Sequence, residues 1–379
     1  MNKKHVIFFC SWYPSRVFPT NGDFIQRHAE AVSLFYRVTV VHVVTDPSPA
    51  AADLLVEDEY ERGIRVLRAY VGPVGGLRKL LRFFSAYRSL AKRAGVCDLV
   101  HVHHVYPALL FAVGYAMLKR LPCVVSEHWT GFLRGAFAKW HPLMRVLMRF
   151  ASRGVDCFCP VSEHLGRQMQ AVGFRGRYEP VPNVVDTDLF RPMSGERKSR
   201  AFRFLHVSSM KEEHKNVSGL LRVMARLQKL EKNWELFLIG DRPQRYRDYA
   251  REMGLEDGRI HYLDNMPQST LVRYFQQSDL LVLFSRFENL PCVILEAFSC
   301  GLPVVSTDVG GIAEYFPENF GRLIPVEDES ALLEEILAYL RLERPRADAA
   351  VMHAYAEKHF APLQIGKRFA EIYKRLLHA

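Results

Sequence analysis

The chain has 379 residues, of which 49% are apolar, and a net charge of +10. That length exceeds one average domain and suits two, and the apolar fraction supplies two sizeable cores, which excludes a disordered protein. The charge is uneven: residues 1–190 carry 24 Lys+Arg against 15 Asp+Glu, residues 191–379 carry 27 against 26, and nine Lys/Arg with no acid lie between Glu61 and Asp98. A basic first half points to an anionic surface or substrate and says nothing about fold.

In chain order, His5–Cys10 reads as a buried strand, Asp23–Phe35 as a helix and Arg37–Val44 as a strand. Leu77–Ala94 follows as a helix, Leu99–His103 as a strand and Pro107–Leu118 as a buried helix. Cys123–Ser126 and Cys157–Pro160 are strands, each followed by a helix, at Pro142–Arg153 and Glu163–Val172. A second cycle begins near Arg203. Its strands are Phe204–Ser208, Glu235–Ile239, Ile260–Leu263, Leu280–Leu283 and Val304–Ser306. Its helices are Ser218–Leu230, Tyr246–Met253, Ser269–Gln277, Pro291–Ser299, Ser330–Leu342 and Pro362–Leu377. Strand–helix alternation predicts an α/β protein of two Rossmann-like doubly wound domains, each with a parallel sheet covered on both faces. The seam "VPNVVDTDLFRP", bounded by prolines, divides them as 1–187 and 188–361, with 362–379 as a final helix. Such sheets bind ligands at the carboxyl ends of their strands. A dehydrogenase would carry G-x-G-x-x-G after its first strand, where this chain has Cys10-Ser-Trp-Tyr-Pro14, so dinucleotide binding is disfavoured.

Seven cysteines, an odd number and mostly inside apolar runs, read as reduced core thiols. The apolar run before Cys10 is too short for a secretory signal. Val105–Leu118, the longest uncharged apolar stretch, falls short of the roughly 20 residues of a spanning helix. These features predict a cytoplasmic protein, soluble or held peripherally on the inner face of the plasma membrane.

The chemistry concentrates in "RFENLPCVILEAFSCGLPVVST", Arg286–Thr307. Glu288 lies in the turn after a strand, and Pro291 suits the first helical position because its missing N–H would be unpaired there. The first-turn N–H groups and the helix dipole then form an anion site fit for a pyrophosphate. Glu296, further along the helix, can accept both hydroxyls of a ribose, and Glu288 can hold hydroxyls of a second sugar. Two carboxylates flanking an anion site match a nucleotide-sugar.

This stretch resembles the E-x7-E signature of retaining GT-B glycosyltransferases, closest to glycosyltransferase family 4. "TNGDFIQRHAEAVS" (Thr20–Ser33) resembles the family's glycine turn and first helix, and "VVSEHWTGF" (Val124–Phe132) its histidine loop. "PVPNVVDTDLFRP" resembles its interdomain linker, "HVSSMKEEHKN" (His206–Asn216) its phosphate loop and "STDVGGIAE" (Ser306–Glu314) the segment after the glutamate helix. The resemblance implies two domains facing a central cleft, with the nucleotide-sugar on the C-terminal domain, the acceptor on the N-terminal one and the final helix crossing back. It implies catalytic roles for His128, which meets the reacting sugar, for Lys215, which neutralises the departing pyrophosphate, and for Glu288. Donor contacts fall to Gly22, Ser209, Lys211, Lys215, Met266, Glu288, Asn289, Leu290, Cys292, Val293 and Glu296. The chain departs from the family at three places: Ser209 stands where a loop arginine is usual, with Lys211 available to replace it; Pro291 and Arg242 stand where glycine is common.

The sequence holds two patterns that suggest metal. Asp186-Thr-Asp188 is a D-x-D triplet, but it sits in the linker with Asn183 and Phe190. His101 and His103 share one face of a strand beside His104, but no fourth ligand is spaced to close a zinc site. No metal and no cofactor beyond the donor substrate are expected. The basic helix near Leu77–Ala94, with Leu77, Leu80, Leu81, Phe84 and Leu90 on one face, and the segment "MRVLMRF" (Met144–Phe150) fit contact with an anionic membrane surface. No nucleic-acid module is recognisable. The expected activity is metal-independent, retaining transfer of a hexose from a nucleotide-diphosphate sugar to a glycan or lipid-linked acceptor in bacterial surface polysaccharide or lipopolysaccharide synthesis. A sugar-nucleotide epimerase on the same fold is the alternative; a basic nucleic-acid- or membrane-binding protein is a third reading.

Overall fold

The computed structural model describes residues 3–48, 54–193, 201–255 and 258–378. The chain divides into two units, Met1–Val184 with Pro362–Ala379, and Val185–Ala361. The division falls at Val184/Val185, within the proline-bounded seam, rather than at 187.

The first unit holds seven strands: β1 (His5–Cys10), β2 (Arg37–Thr45), β3 (Leu55–Glu61), β4 (Ile64–Val71), β5 (Leu99–His103), β6 (Cys123–Glu127) and β7 (Cys157–Pro160). They lie in the order β3-β4-β2-β1-β5-β6-β7. Central β1 is parallel to both β2 and β5, and all six of its residues are buried. Covered on both faces, such a strand reads as an uninterrupted apolar run. Among the described residues only the β3–β4 pair is antiparallel. Sequence periodicity assigned nothing there, because β3 (LVEDEYE) is acidic and half-exposed at the sheet edge and β4 carries two arginines. Burial of one of these, Arg68, is compensated: its side chain donates to Pro14 O at 2.8 Å and pairs with Glu61 at 2.6 Å.

Helix Pro362–Leu377 packs on helix Asp23–Ser33 within this unit. Glycine is required at the crossing, since a Cβ on Gly366 would lie 2.3 Å from Ala31 O. Aromatic burial adds to this seam: Phe369 and Tyr373 are fully buried, each contributing about 2–3 kcal/mol of transfer energy.

The second unit holds β8 (Phe202–Ser208), β9 (Trp234–Gly240), β10 (Ile260–Asp264), β11 (Leu280–Leu283), β12 (Val304–Thr307) and β13 (Gly321–Ile324). Its order is β10-β9-β8-β11-β12-β13, and every pairing is parallel. Both units are thus Rossmann-like sheets with helices, as the α/β alternation predicts. In this unit the sequence reading missed the short strand β13, the helical turn Glu212–Lys215 and helix Ala349–Phe360, which is capped by Asp348 accepting from Ala350 N at 2.7 Å. A further difference bears on the site. Pro291 is the N-cap, extended at φ −69° and ψ 125°, and the helix begins at Cys292. Proline's fixed φ suits either position, so its presence alone does not set the boundary.

Candidate active site

Strands β8 and β11 are neighbours and parallel, so the loops leaving their carboxyl ends adjoin. The β8 loop passes through exposed Ser209, left-handed Met210 (φ 56°) and exposed Lys211 into the short helical turn Glu212–Lys215. Left-handed Asn216 (φ 48°) then starts helix Val217–Leu230. After β11 the chain runs through Ser285 to Pro291 and enters helix Cys292–Ser299.

Across these loops the Lys215 ammonium pairs directly with Glu288 Oε1, and both side chains are largely buried, at 15% and 8% exposure. Ser285 Oγ donates to the same carboxylate oxygen at 2.7 Å. Charge-assisted bonds in so enclosed a setting fix both groups in place. Around them, Arg286 ties the loops together. Its guanidinium donates to Glu212 O at 2.7 Å and Asn216 Oδ1 at 2.6 Å, and its backbone N–H to His214 O at 2.7 Å. Burial alone would raise the Glu212 carboxyl; hydrogen bonds from Ser218 and Tyr246 and the Arg286 charge hold it below the usual carboxylate range. The second carboxylate of the pair, Glu296, is also buried, and Gln268 Nε2 donates to its Oε1 at 3.3 Å.

The backbone behind Glu288 leaves no space. Gly310 has φ +63°, and a Cβ there would stand 1.9 Å from Glu288 O. Next to it, Gly311 N–H donates to Asn289 O at 2.8 Å. Thr307 Oγ1 donates to Ser285 O at 2.6 Å. The segment after β12 therefore braces the glutamate turn from behind.

Of the residues expected from sequence, Lys215, Glu288, Asn289, Leu290, Cys292, Val293 and Glu296 gather on these two loops and the helix they feed. No side chain caps that helix; the amides of Cys292 and Val293 lead it. Met266 is half-buried in the loop between β10 and helix Gln268–Gln277. Gln268, the first residue of helix Gln268–Gln277 and a donor to Glu296, had no sequence signal, and neither had Arg286. Gly310 did: it lies in the quoted "STDVGGIAE" but carried no assigned role. Arg242 takes up a left-handed conformation (φ 51°), which accounts for glycine being common at that place.

Gly22 and His128 belong to the first unit. Gly22 (φ +81°) heads helix Asp23–Ser33, and its Cβ would meet Trp12 C and Tyr13 N at 2.8 Å, so the turn requires glycine. His128 follows β6, its ring against Phe24 (centroids 4.7 Å) and His28 (5.3 Å). Burial pushes its pKa well below the ordinary histidine value. His101 and His103 lie on one face of β5, ring centroids 4.1 Å apart, and His104 turns away from them. His101 bonds to Tyr373 Oη at 2.5 Å and Ser126 Oγ at 2.9 Å, and His104 bonds to buried Glu127 at 2.9 Å. Asp186 Oδ1 accepts from Leu189 N at 3.0 Å, closing a turn ahead of buried Phe190.

The exposed apolar residues of the first unit are not all where periodicity places them. On helix Gly76–Ala94, Leu90 is buried, whereas Leu77, Leu81 and Phe84 are exposed. Helix Pro142–Ala151 buries only Met148 and exposes Leu143, Val146, Leu147 and Phe150. No helix among the described residues is long and apolar enough to cross a membrane.

Comparison with known proteins is consistent with this geometry. Residues 28–189 match the Glycosyltransferase Family 4 family and residues 192–359 the Glycosyl transferases group 1 family. The N-acetyl-alpha-D-glucosaminyl L-malate synthase of Bacillus anthracis is 26% identical over 314 residues, 78% of this chain and 79% of that protein. The lipopolysaccharide core biosynthesis mannosyltransferase LpsB of Rhizobium meliloti is 26% identical, over 62% of this chain and 76% of that one. Among solved structures, Anabaena HepE in complex with UDP superposes with a TM-score of 0.76 at 19% identity, covering 98% of this chain and 100% of that one. Two family matches that between them run from residue 28 to residue 359, on two Rossmann-like units, place the chain among the GT-B glycosyltransferases of the family 4 and group 1 type.

Proposed function

We propose that this glycosyltransferase is a retaining enzyme that moves a hexose-type sugar from a nucleotide-diphosphate sugar to a hydroxyl of a glycan or lipid-linked acceptor, in bacterial surface polysaccharide or lipopolysaccharide synthesis. The observation that carries the reading is the buried Lys215–Glu288 pair beside the uncapped helix Cys292–Ser299, with Glu296 buried further along it. In this reading the diphosphate lies against the amides of Cys292 and Val293 and the Lys215 ammonium, so its charge needs no metal. Glu296 accepts the ribose hydroxyls and Glu288 those of the hexose. The acceptor oxygen bonds to the anomeric carbon as the bond from that carbon to the diphosphate oxygen breaks. The acceptor's proton passes to a donor phosphate oxygen. Negative charge builds on the leaving diphosphate, where a fixed cation contributes most. Glu288 holds Lys215 in place before the donor arrives.

The first unit holds the acceptor. Its exposed apolar residues, flanked on the same helices by Arg82, Arg88, Arg145 and Arg149, suit docking to an anionic membrane surface that presents a lipid-linked acceptor. The relation to a lipopolysaccharide core enzyme supports the pathway, and the epimerase alternative finds no support among the relatives quoted.

The test is to incubate the protein with a panel of nucleotide-sugars and candidate acceptors and to identify products by NMR. A new glycosidic bond with the anomeric configuration of the donor is expected. Inverted configuration would refute retention, and an isomerised nucleotide-sugar without transfer would restore the epimerase.

A further inference from the structure

Between helix Gly76–Ala94 and helix Ala108–Lys119 of the first unit lies an open groove of about 810 Å³, within the roughly 300–1,000 Å³ of small-ligand pockets. Phe84 and Ala91 line it from the first helix, and Phe111, Tyr115 and Leu118 from the second. We propose that this groove takes one hydrocarbon chain of an anionic phospholipid, with the lipid's phosphate held by exposed Arg88, Lys92 and Lys119.

The walls suit an apolar chain. Phe111 stacks on Tyr87 at 5.6 Å and on Tyr115 at 6.1 Å, and Phe84 meets it edge-on at 5.8 Å. The Cys97 thiol and the Tyr115 hydroxyl hydrogen-bond to each other, which occupies the polar atoms that the walls offer. Burial pushes both groups up, to about 11 and about 12, so neither brings charge into the groove. Gly114 keeps the space open. It stands inside the second helix without a left-handed φ, and a Cβ there would meet nothing within 4 Å. Glycine weakens a helix interior relative to alanine, and neither backbone conformation nor packing asks for it at this position. What its missing side chain provides is room.

The cations supply the complement to a phosphate. No acidic residue lines the groove or lies in helix Gly76–Ala94, and among the described residues the side chains of Arg88, Lys92 and Lys119 pair with no acid. Their stems can lie along an apolar chain while their charges meet the headgroup. Leu118, 80% exposed, and its neighbour Met117 carry the apolar surface outward. Position identifies the lipid's role. Cys97 and Leu121 line the groove two residues before β5 and β6 begin, so it lies at the amino ends of these strands. Doubly wound sheets bind substrates at the opposite, carboxyl ends, so the lipid is an anchor and not the sugar acceptor. Such an anchor rests on the reading of this unit as the one that meets an anionic membrane, and is independent of how the donor is held.

The test uses the purified full chain and monomeric amphiphiles, each below its critical micelle concentration. Octyl phosphate, decyl phosphate and uncharged decyl maltoside are titrated calorimetrically. One decyl phosphate per chain is expected, bound more tightly than octyl phosphate by about fourfold for each added methylene and at least about tenfold more tightly than decyl maltoside. Gly114→Leu fills the groove with a better helix former, so it should keep its Tm and lose decyl phosphate affinity by at least about tenfold. Lys92→Gln/Lys119→Gln should remove the preference for phosphate over maltoside. Failure of decyl phosphate to bind the folded wild type overturns the proposal, as does equal binding to folded Gly114→Leu or equal affinity for phosphate and maltoside. Co-sedimentation with anionic vesicles reads the docking surface separately: a wild type that sediments but binds no decyl phosphate keeps that surface and loses the groove.

Discussion

Replacing Gly310 by alanine tests whether the segment after β12 braces the glutamate turn. The added Cβ would lie 1.9 Å from Glu288 O, and real Cβ contacts stay beyond 3.0 Å, so one backbone must move by about an ångström. Left-handed alanine costs about 1–2 kcal/mol, offset by roughly 0.4–1 kcal/mol from a stiffer unfolded chain. The displacement also strains the Gly311–Asn289 hydrogen bond, about 1 kcal/mol, and loosens the Lys215–Glu288 pair. These terms come to a loss of roughly 1–3 kcal/mol, and weaker donor diphosphate binding is expected with it. Gly254 is the control: it has φ +74° and nothing within 4 Å, so its alanine variant loses only about 1 kcal/mol and keeps binding. Urea unfolding and calorimetric titration with nucleoside diphosphates read both quantities. If Gly310→Ala and Gly254→Ala behave alike in both assays, the bracing argument is wrong.

Three other outcomes follow from the same geometry. Lys215→Met leaves the Glu288 carboxylate buried with Ser285 as its remaining named donor, and should cost about 2–4 kcal/mol of stability, less in a Lys215→Met/Glu288→Gln double variant; additive losses in the denaturation cycle would show that the pair is not coupled. Burial lowers His42 and His206 to about 4, so the unfolded chain takes up their protons first, and stability present above pH ~6.5 falls as pH drops toward 4, by about 3 kcal/mol per residue. His206→Asn should flatten the pH dependence of unfolding by up to about 1.4 kcal/mol per pH unit, and an unchanged slope would count against a neutral buried His206. Leu147→Glu with Phe150→Glu should abolish co-sedimentation with anionic vesicles while leaving diphosphate binding intact; equal sedimentation of variant and wild type removes helix Pro142–Ala151 from the membrane reading.

The sequence was most legible where one kind of signal sufficed. Continuous apolar runs such as β1 and β11 announce strands buried on both faces, and Glu288, Pro291 and Glu296 announce a carboxylate pair around a helix start. Legibility failed where tertiary partners decide the outcome. The β3–β4 hairpin hides its register in ion pairs, with Arg65 on Asp58 and Arg68 on Glu61. The sequence reading groups Leu90 with Leu77 on one face, but thirteen residues along a helix put it about 140° away, and it meets the core while Leu77 faces solvent. Arg286 reads as a surface charge beside the motif, and its partners Glu212, His214 and Asn216 come from about 70 positions earlier, with Glu327 a further partner later in the chain. Among the histidines, His101 and His103 keep to one face of their strand, ring centroids 4.1 Å apart, while His104 turns to Glu127; that His28 and His128 come up beside His103 had no sequence signal, because they arrive from other elements.

The central claim is that the glutamate helix and Lys215 hold a nucleotide-sugar's diphosphate and ribose. Calorimetric binding of UDP, GDP, ADP, CDP and dTDP, without added metal, to wild type and Glu296→Gln tests it most directly. Selective binding of one diphosphate, weakened at least about tenfold by the mutation, is the predicted result and would name the donor base. Failure of all five to bind a folded wild type, or equal affinity in Glu296→Gln, would contradict the account.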